Sequence, residues 1–197
     1  MGYNKQKIVA VVGLCGAGKS EVADYFVKHG YEYLRFGQIT LDEVKRRDLE
    51  PKEENERPIR EEFRKKYGMA AFAILNIPKI DEYLSQGKNV LVDGLYSWSE
   101  YKELKKKYNE SLAVIAVYAS PQIRYARLEN RRTRYADDPR MKYRSFSRKQ
   151  AQARDIAEIE NIEKGGPIAM ADYTIINEGT LAELNGSIGR IIKLIGV

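Results

Sequence analysis

Residues 7–20, KIVAVVGLCGAGKS, join a short apolar run to a glycine-rich turn. The run at 7–12 is rich in β-branched residues, which is typical of a strand buried on both faces of a parallel sheet. Residues 13–20 match the spacing G-x-x-x-x-G-K-[ST] in full, and a helical pattern opens at the end of the turn. This order of strand, turn and helix predicts a loop that binds phosphate groups.

Each residue type in the loop suits one part of a nucleoside triphosphate. Glycines let successive backbone N–H groups face one anion, and the helix N-terminus adds a partial positive charge. We expect Lys19 to reach the β- and γ-phosphates and the Ser20 hydroxyl to bind Mg²⁺. The residues predicted to hold the phosphates of ATP are Gly13, Cys15, Gly16, Ala17, Gly18, Lys19, Ser20 and Glu21.

Four further apolar runs alternate with amphipathic helical patterns, and strands are predicted at 31–36, 89–92, 112–118 and 173–176. This alternation predicts an α/β fold of three layers, in which helices cover both faces of a parallel sheet. Asp93 follows the third strand, and the carboxyl ends of parallel strands face the ligand crevice. We therefore expect Asp93 to hold Mg²⁺ or orient an acceptor, with a simple turn ahead of Gly94 as the alternative.

Two helices carry capping signals in the sequence. Thr40 and Glu43 have the spacing of a capping box, which predicts that a helix starts at Thr40. Ser97 or Ser99 is predicted to cap the helix that follows the third strand.

The composition indicates one globular domain. The chain has 197 residues, of which 43% are hydrophobic, a normal content for a single packed core. No apolar run approaches the roughly 20 residues that span a bilayer, and the polar start does not resemble a signal peptide. The single cysteine excludes an internal disulfide. We expect a cytoplasmic protein without membrane partners; no oligomeric state is predicted.

The positive charge of the chain is concentrated in one segment. Residues 127–154 hold ten Lys or Arg against three acidic residues, a net +7, so the rest of the chain carries about −1 of the total +6. Arg127, Arg131 and Arg134 have the spacing of one helix face, and Arg124 extends that face by a turn. The guanidinium group of arginine can bind phosphate in two places, which suits the charge that develops on a transferred phosphate. The segment is therefore predicted to form a lid over a triphosphate.

Two alternatives to a lid stay open for this segment. The first is a solvated basic face without a ligand. The second is a nucleic-acid surface, for which Tyr135, Tyr143 and Phe146 supply interleaved aromatic rings. We rank nucleic acid below a nucleotide because the charge is confined to one short segment.

With the tail at 171–179, ADYTIINEG, these features resemble the adenylate-kinase-related, dephospho-CoA-kinase-like P-loop kinases. The match extends to a poorly characterised, largely archaeal subgroup, in which a pair such as Asp137-Asp138 and the spacing of Arg154 to Glu158 recur. The resemblance covers nearly the whole chain and implies a five-stranded parallel sheet of order 2-3-1-4-5. It implies one domain with a core at 1–36, 86–130 and 165–197, an acceptor-binding insert at 37–85 and a lid at 131–164.

The resemblance also implies roles for single residues. Asn177 and Gly179 would lie near the adenine, and the residues that would hold an acceptor phosphate are Arg57, Arg60 and Arg64. Dephospho-CoA kinases resemble one another in an aspartate just past the second strand, where this chain reads RFGQ at 35–38. Lacking that carboxylate, the sequence favours a nucleoside monophosphate as acceptor, with Arg35 as another phosphate contact.

The sequence thus predicts a nucleotide kinase that uses ATP and Mg²⁺ and acts on a small-molecule nucleotide acceptor. The predicted catalytic residues are Lys19, Asp93, Arg127, Arg131 and Arg134, and the predicted metal ligands are Ser20 and Asp93. The alternatives are a dephospho-CoA-type hydroxyl kinase, with Asp93 or Asp42 as base, and a P-loop ATPase or switch module associated with RNA or DNA.

Overall fold

A computed structural model describes residues 6–130 and 146–196 of the chain. The strands are β1 (Ile8–Val12), β2 (Glu32–Arg35), β3 (Val90–Asp93), β4 (Leu112–Tyr118) and β5 (Tyr173–Ile176). The helices are α1 (Lys19–Lys28), α2 (Gln38–Arg46), α3 (Glu53–Tyr67), α4 (Ala71–Ser85), α5 (Trp98–Tyr108), α6 (Pro121–Glu129), α7 (Arg148–Ile162), α8 (Gly165–Ala169) and α9 (Leu181–Ile195). A 3₁₀ turn, Asn109–Ser111, precedes β4.

The five strands form one parallel sheet of order β2-β3-β1-β4-β5, which confirms the predicted fold class. β1 lies at the centre, where Ile8 is in register with Val90 of β3 and Leu112 of β4. The order changes direction at β1, and ligands bind such sheets at the point where the strand order reverses. The loop after β1 therefore lies at the crevice of the sheet.

The residues of β1 alternate between two hydrophobic cores. Ile8, Ala10 and Val12 pack with residues of α4 and α5, whereas Val9 and Val11 pack with residues of α1 and α9. All five side chains are buried, which explains a continuous apolar run without polar alternation. The two cores establish the predicted three layers.

One capping prediction is confirmed and the other is wrong. Ser97 caps α5 in a full capping box with Glu100. Thr40, however, lies inside α2, where it is buried, because the chain turns into the helix at Gly37 directly after β2. Glu43 does not reach back to Thr40, since Arg46 and Arg47 bind its carboxylate.

The arginine-rich segment is described only at its two ends. Arg131, Arg134, Asp137 and Asp138 lie outside the described residues, so the lid and the domain boundaries stay predictions. Helix α6, which precedes residue 131, packs against α7, which follows residue 145. Residues of both helices line the cavities described below.

Candidate functional site

Two glycines in the loop between β1 and α1 are required by close approach of other chain segments. Gly18 has φ +102°, and a Cβ atom there would lie 2.2 Å from the Asn177 side-chain nitrogen. Gly13 has φ +144°, and its Cβ would lie 2.4 Å from the Val117 carbonyl oxygen. Both positions thus exclude a side chain by backbone conformation and by contact.

Lys19 bends back over its own loop. Its Nζ donates hydrogen bonds to the carbonyl oxygens of Gly13, at 2.9 Å, and Leu14, at 3.2 Å. Burial and the nearby ammonium of Lys164 lower the pKa of Lys19 to about 8, although Asp93 and Glu158 act in the opposite direction. An anion beside Lys19 would restore its charged form, so the site favours a negatively charged ligand.

The loop opens into a cavity of about 390 Å³ at the carboxyl edge of the sheet. Many of the residues that sequence reasoning assigned to the site line this cavity: Cys15, Gly16, Gly18, Lys19, Ser20, Glu21, Arg35, Asp93, Arg127, Asn177 and Gly179. The loop, the ends of β2 and β3, helix α6 and the segment after β5 therefore meet at one place. Gly13 and Ala17 belong to the same loop but do not line the cavity.

Asp93 is held from the edge strand of the sheet. The hydroxyl of Tyr33, on β2, donates a hydrogen bond to Asp93 Oδ2 at 2.6 Å. Arg35 is in register with Asp93 on the neighbouring strand, and both residues line the cavity. A carboxylate and a guanidinium thus stand side by side where β2 and β3 end.

Asn177 braces the phosphate loop from the other side of the sheet. Its side-chain nitrogen donates to the carbonyl oxygen of Ala17 at 2.8 Å, and its backbone N–H donates to Tyr118 at 2.7 Å. The residue is 7% exposed. Sequence reasoning named Asn177 for adenine, and this contact with the loop was not anticipated.

A buried ion pair ties α6 and α7 to the same loop. The guanidinium of Arg124 contacts both carboxylate oxygens of Asp155, at 2.9 and 2.6 Å, and Tyr125 donates to that carboxylate at 3.0 Å. Arg124 also donates to the Cys15 carbonyl oxygen at 3.1 Å. Arg124 is 3% exposed and does not line the cavity, so its predicted place on a phosphate-binding face is wrong. Asp155 holds the buried guanidinium of Arg124, and this side chain supports the loop through its hydrogen bond to the Cys15 carbonyl oxygen.

Three charged residues, Arg154, Glu158 and Lys164, form one wall of the cavity. Glu158 accepts a hydrogen bond from Arg154 at 2.9 Å and pairs with Lys164 at 2.5 Å. Burial raises the pKa of Glu158, but Lys164 and Arg154 outweigh it and lower the pKa below its usual range. Glu158 is therefore ionised at neutral pH. Sequence reasoning missed Lys164 because a lone lysine after a helix carries no motif.

A second cleft, of about 520 Å³, lies between α3 and α7. Its lining includes all three predicted acceptor arginines, Arg57, Arg60 and Arg64. Arg154 and Glu158 line both this cleft and the cavity of the phosphate loop. The two spaces thus adjoin across a shared wall.

The described residues provide few metal ligands of their own. Within 6–130 and 146–196, no group of three or more His, Cys, Asp or Glu is arranged to hold a metal ion. Ser20 and Asp93 both line the cavity and offer oxygen atoms. One hydroxyl and one carboxylate fit Mg²⁺, which takes its other ligands from water and phosphate oxygens. None of the helices within these ranges combines the length and the apolar composition of a membrane span.

The fold and the loop together define a P-loop protein of the kinase-like type, and comparison with known proteins places the chain more narrowly. The family described as AAA domain matches residues 9–167. A UPF0200 protein of Thermococcus sibiricus is 34% identical over 191 residues, which cover 96% of each chain. One of Pyrococcus abyssi is 32% identical over 95% of this chain and 96% of its own. The chain belongs to the UPF0200 family.

Solved structures with the same fold include kinases of small molecules. A shikimate kinase from Bacteroides thetaiotaomicron superposes with a TM-score of 0.57 at 16% identity, covering 97% of this chain and 99% of its own. A dephospho-CoA kinase from Campylobacter jejuni superposes with a TM-score of 0.52 at 14% identity, covering 97% and 98%. At such identities the likeness concerns the fold alone.

Proposed function

We propose that this protein is an ATP-dependent phosphotransferase that moves the γ-phosphate to a small-molecule acceptor, most simply a nucleoside monophosphate. The observation that carries the proposal is the shared wall of Arg154 and Glu158 between the loop cavity and the α3–α7 cleft. Transfer in line requires a donor and an acceptor site that adjoin, whereas a switch or simple ATPase requires only the first.

The donor half of the proposal rests on the loop and its cations. Lys19 and Arg127 line one cavity with the open N-terminus of α1, where backbone N–H groups and the helix dipole favour an anion. The predicted ligands of Mg²⁺, Ser20 and Asp93, lie in the same cavity. The ion would neutralise charge on the phosphates, while Lys19 and Arg127 would stabilise the transferred group.

The acceptor half rests on the arginines of α3. Arg60 is bound by Glu53 and Glu56, and Arg57 is bound by Glu61. The guanidinium carbon of Arg64 instead lies 5.5 Å from the centre of the Phe72 ring. Among the described residues, Arg64 forms no ion pair within hydrogen-bonding distance. Arg64 is therefore the arginine of α3 whose guanidinium is not held by a carboxylate of its own helix, and we expect an acceptor phosphate to bind there.

A hydroxyl acceptor is the second candidate, and Asp93 favours it. Its carboxylate lies in the cavity beside Arg35 and is oriented by Tyr33. A positioned carboxylate can accept the proton of an attacking hydroxyl, which a phosphate acceptor does not require. An acceptor assay decides between the two.

The decisive experiment offers ATP and Mg²⁺ with a panel of nucleoside monophosphates, dephospho-CoA and small sugars, and measures ADP together with the phosphorylated product. We expect ADP formation to rise sharply with one monophosphate. The variant Arg64→Ala should raise the acceptor KM, whereas Arg46→Ala, an exposed arginine bound by Glu43 on α2, should not. Stimulation by RNA with no small acceptor effective would overturn the kinase proposal.

A further inference from the structure

Lys164 is a buried lysine that nonetheless lines the phosphate cavity. It lies between α7 and α8 and is only 3% exposed. Its Nζ pairs with Glu158 at 2.5 Å and lies 4.3 Å from the centre of the Tyr96 ring. Lysines are almost never so buried unless they are paired, and this one is held by an anion and an aromatic face.

The positive charges of Lys164 and Arg154 are not fully balanced by the carboxylate that both contact. One carboxylate, Glu158, serves two cations, Arg154 and Lys164. An ammonium has three N–H donors, and its hydrogen bond to Glu158 uses one of them. Burial of a cation is costly unless its surroundings compensate it. A negatively charged ligand in the cavity would complete that compensation.

The position of Lys164 sets it apart from Lys19. Lys19 rises from the loop that follows β1, whereas Lys164 is held by Tyr96, three residues beyond Asp93 at the end of β3. Its partner Glu158 lines the α3–α7 cleft as well as the cavity. The two ammonium groups are close enough for Lys164 to lower the pKa of Lys19.

We propose that Lys164 is a second phosphate-binding lysine, which contacts the γ-phosphate from the acceptor side while Lys19 holds it from the loop side. Glu158, which lines both spaces, positions the ammonium in the cavity. The inference rests on the proposed function for the direction of transfer, but it requires only that a triphosphate occupies the cavity. A residue that contacts the γ-phosphate increases the affinity for ATP, whereas ADP lacks the phosphate group that this residue would contact.

The test compares ATP and ADP binding in the wild-type protein and in Lys164→Gln, by calorimetry with Mg²⁺ and without acceptor. We expect the preference for ATP over ADP to fall about tenfold in Lys164→Gln, as for loss of one charged hydrogen bond. Lys107→Gln is the matched control. Lys107 also forms an ion pair, with Asp81 at 2.6 Å, but lies at the far end of α5, away from the carboxyl edge.

Should Lys164→Gln fail to fold by circular dichroism, Lys164→Met keeps the apolar stem against Tyr96 and replaces it. The same ATP and ADP titrations of the replacement variant then decide the outcome.

The outcomes separate this inference from the proposed function. An unchanged ATP-to-ADP ratio in a folded Lys164 variant overturns the inference, even if the wild-type protein phosphorylates a monophosphate. A reduced ratio supports it, even if the acceptor panel yields no product and the proposed function fails.

Discussion

The hydroxyl of Tyr33 donates a hydrogen bond to Asp93 Oδ2 at 2.6 Å and so joins the edge strand β2 to the carboxylate at the end of β3. Burial and the neighbouring Asp93 raise the pKa of Tyr33 above its usual range, so the phenol stays a donor at neutral pH. The bond holds one oxygen of Asp93 and leaves the other for a ligand in the cavity.

Tyr33→Phe removes this donor without changing the shape of the ring. We expect phosphoryl transfer to fall about tenfold, as for loss of one hydrogen bond to a charged group. Steady-state kinetics checks this, with Tyr173→Phe as control on the opposite edge strand. Equal rates in Tyr33→Phe and wild type would show that Asp93 needs no orientation.

Lys19→Ala should reduce transfer by at least about 100-fold, since removal of one preorganised donor in a dry site has that cost. In the wild-type protein the pKa of about 8 means that Lys19 is charged below pH 8 and neutral above it. The kcat/KM for ATP, which reports the free protein, should therefore decline above pH 8. A flat profile from pH 7 to 9.5 would contradict a role for charged Lys19.

Arg124→Ala should destabilise the protein by about 3–5 kcal/mol, because Asp155 would remain buried without its partner. The loop would also lose its contact at Cys15, so ATP affinity should fall. Urea unfolding measures the first effect and calorimetry the second. Arg57→Ala is the control: its pair with Glu61 is exposed, and its loss should cost at most about 1 kcal/mol. If Arg124→Ala lowers the free energy of unfolding by less than about 1 kcal/mol, Arg124 does not support the loop as described.

Glu100 should make the stability of the protein pH-dependent. Burial raises its pKa from 4.5 to about 6, although hydrogen bonds from Ser97 and Tyr96 oppose the shift. The folded state then binds the proton more tightly than the unfolded state, so this group stabilises the fold fully below pH 4.5. That contribution is lost as the pH rises through 6.

Glu100→Gln carries no proton to lose. Its unfolding free energy relative to wild type should rise by about 2 kcal/mol between pH 4 and pH 7. Urea unfolding of both proteins at the two pH values measures the difference. A constant difference would show that Glu100 titrates normally.

Local signals were sufficient for the loop and the order of elements. The glycines, Lys19 and Ser20 act within one strand–turn–helix unit, so their spacing alone predicts their arrangement. The capping signal at Ser97 correctly predicted the start of α5. The signal at Thr40 was wrong, because the chain enters α2 at Gly37, before it reaches Thr40.

The phosphate loop, the alternation of strands and helices, and the placement of Asp93 at the strand edge were determined by the sequence itself, because each depends on neighbours along the chain. The tertiary structure alone decided which distant groups complete the site. Tyr33 meets Asp93 across 60 residues, Arg124 meets Asp155 across 31, and Asn177 meets Ala17 across 160. Lys164 likewise lines the cavity of a phosphate loop that is distant from it in the chain. Such pairs leave no periodic or local trace, since burial and charge compensation act through space.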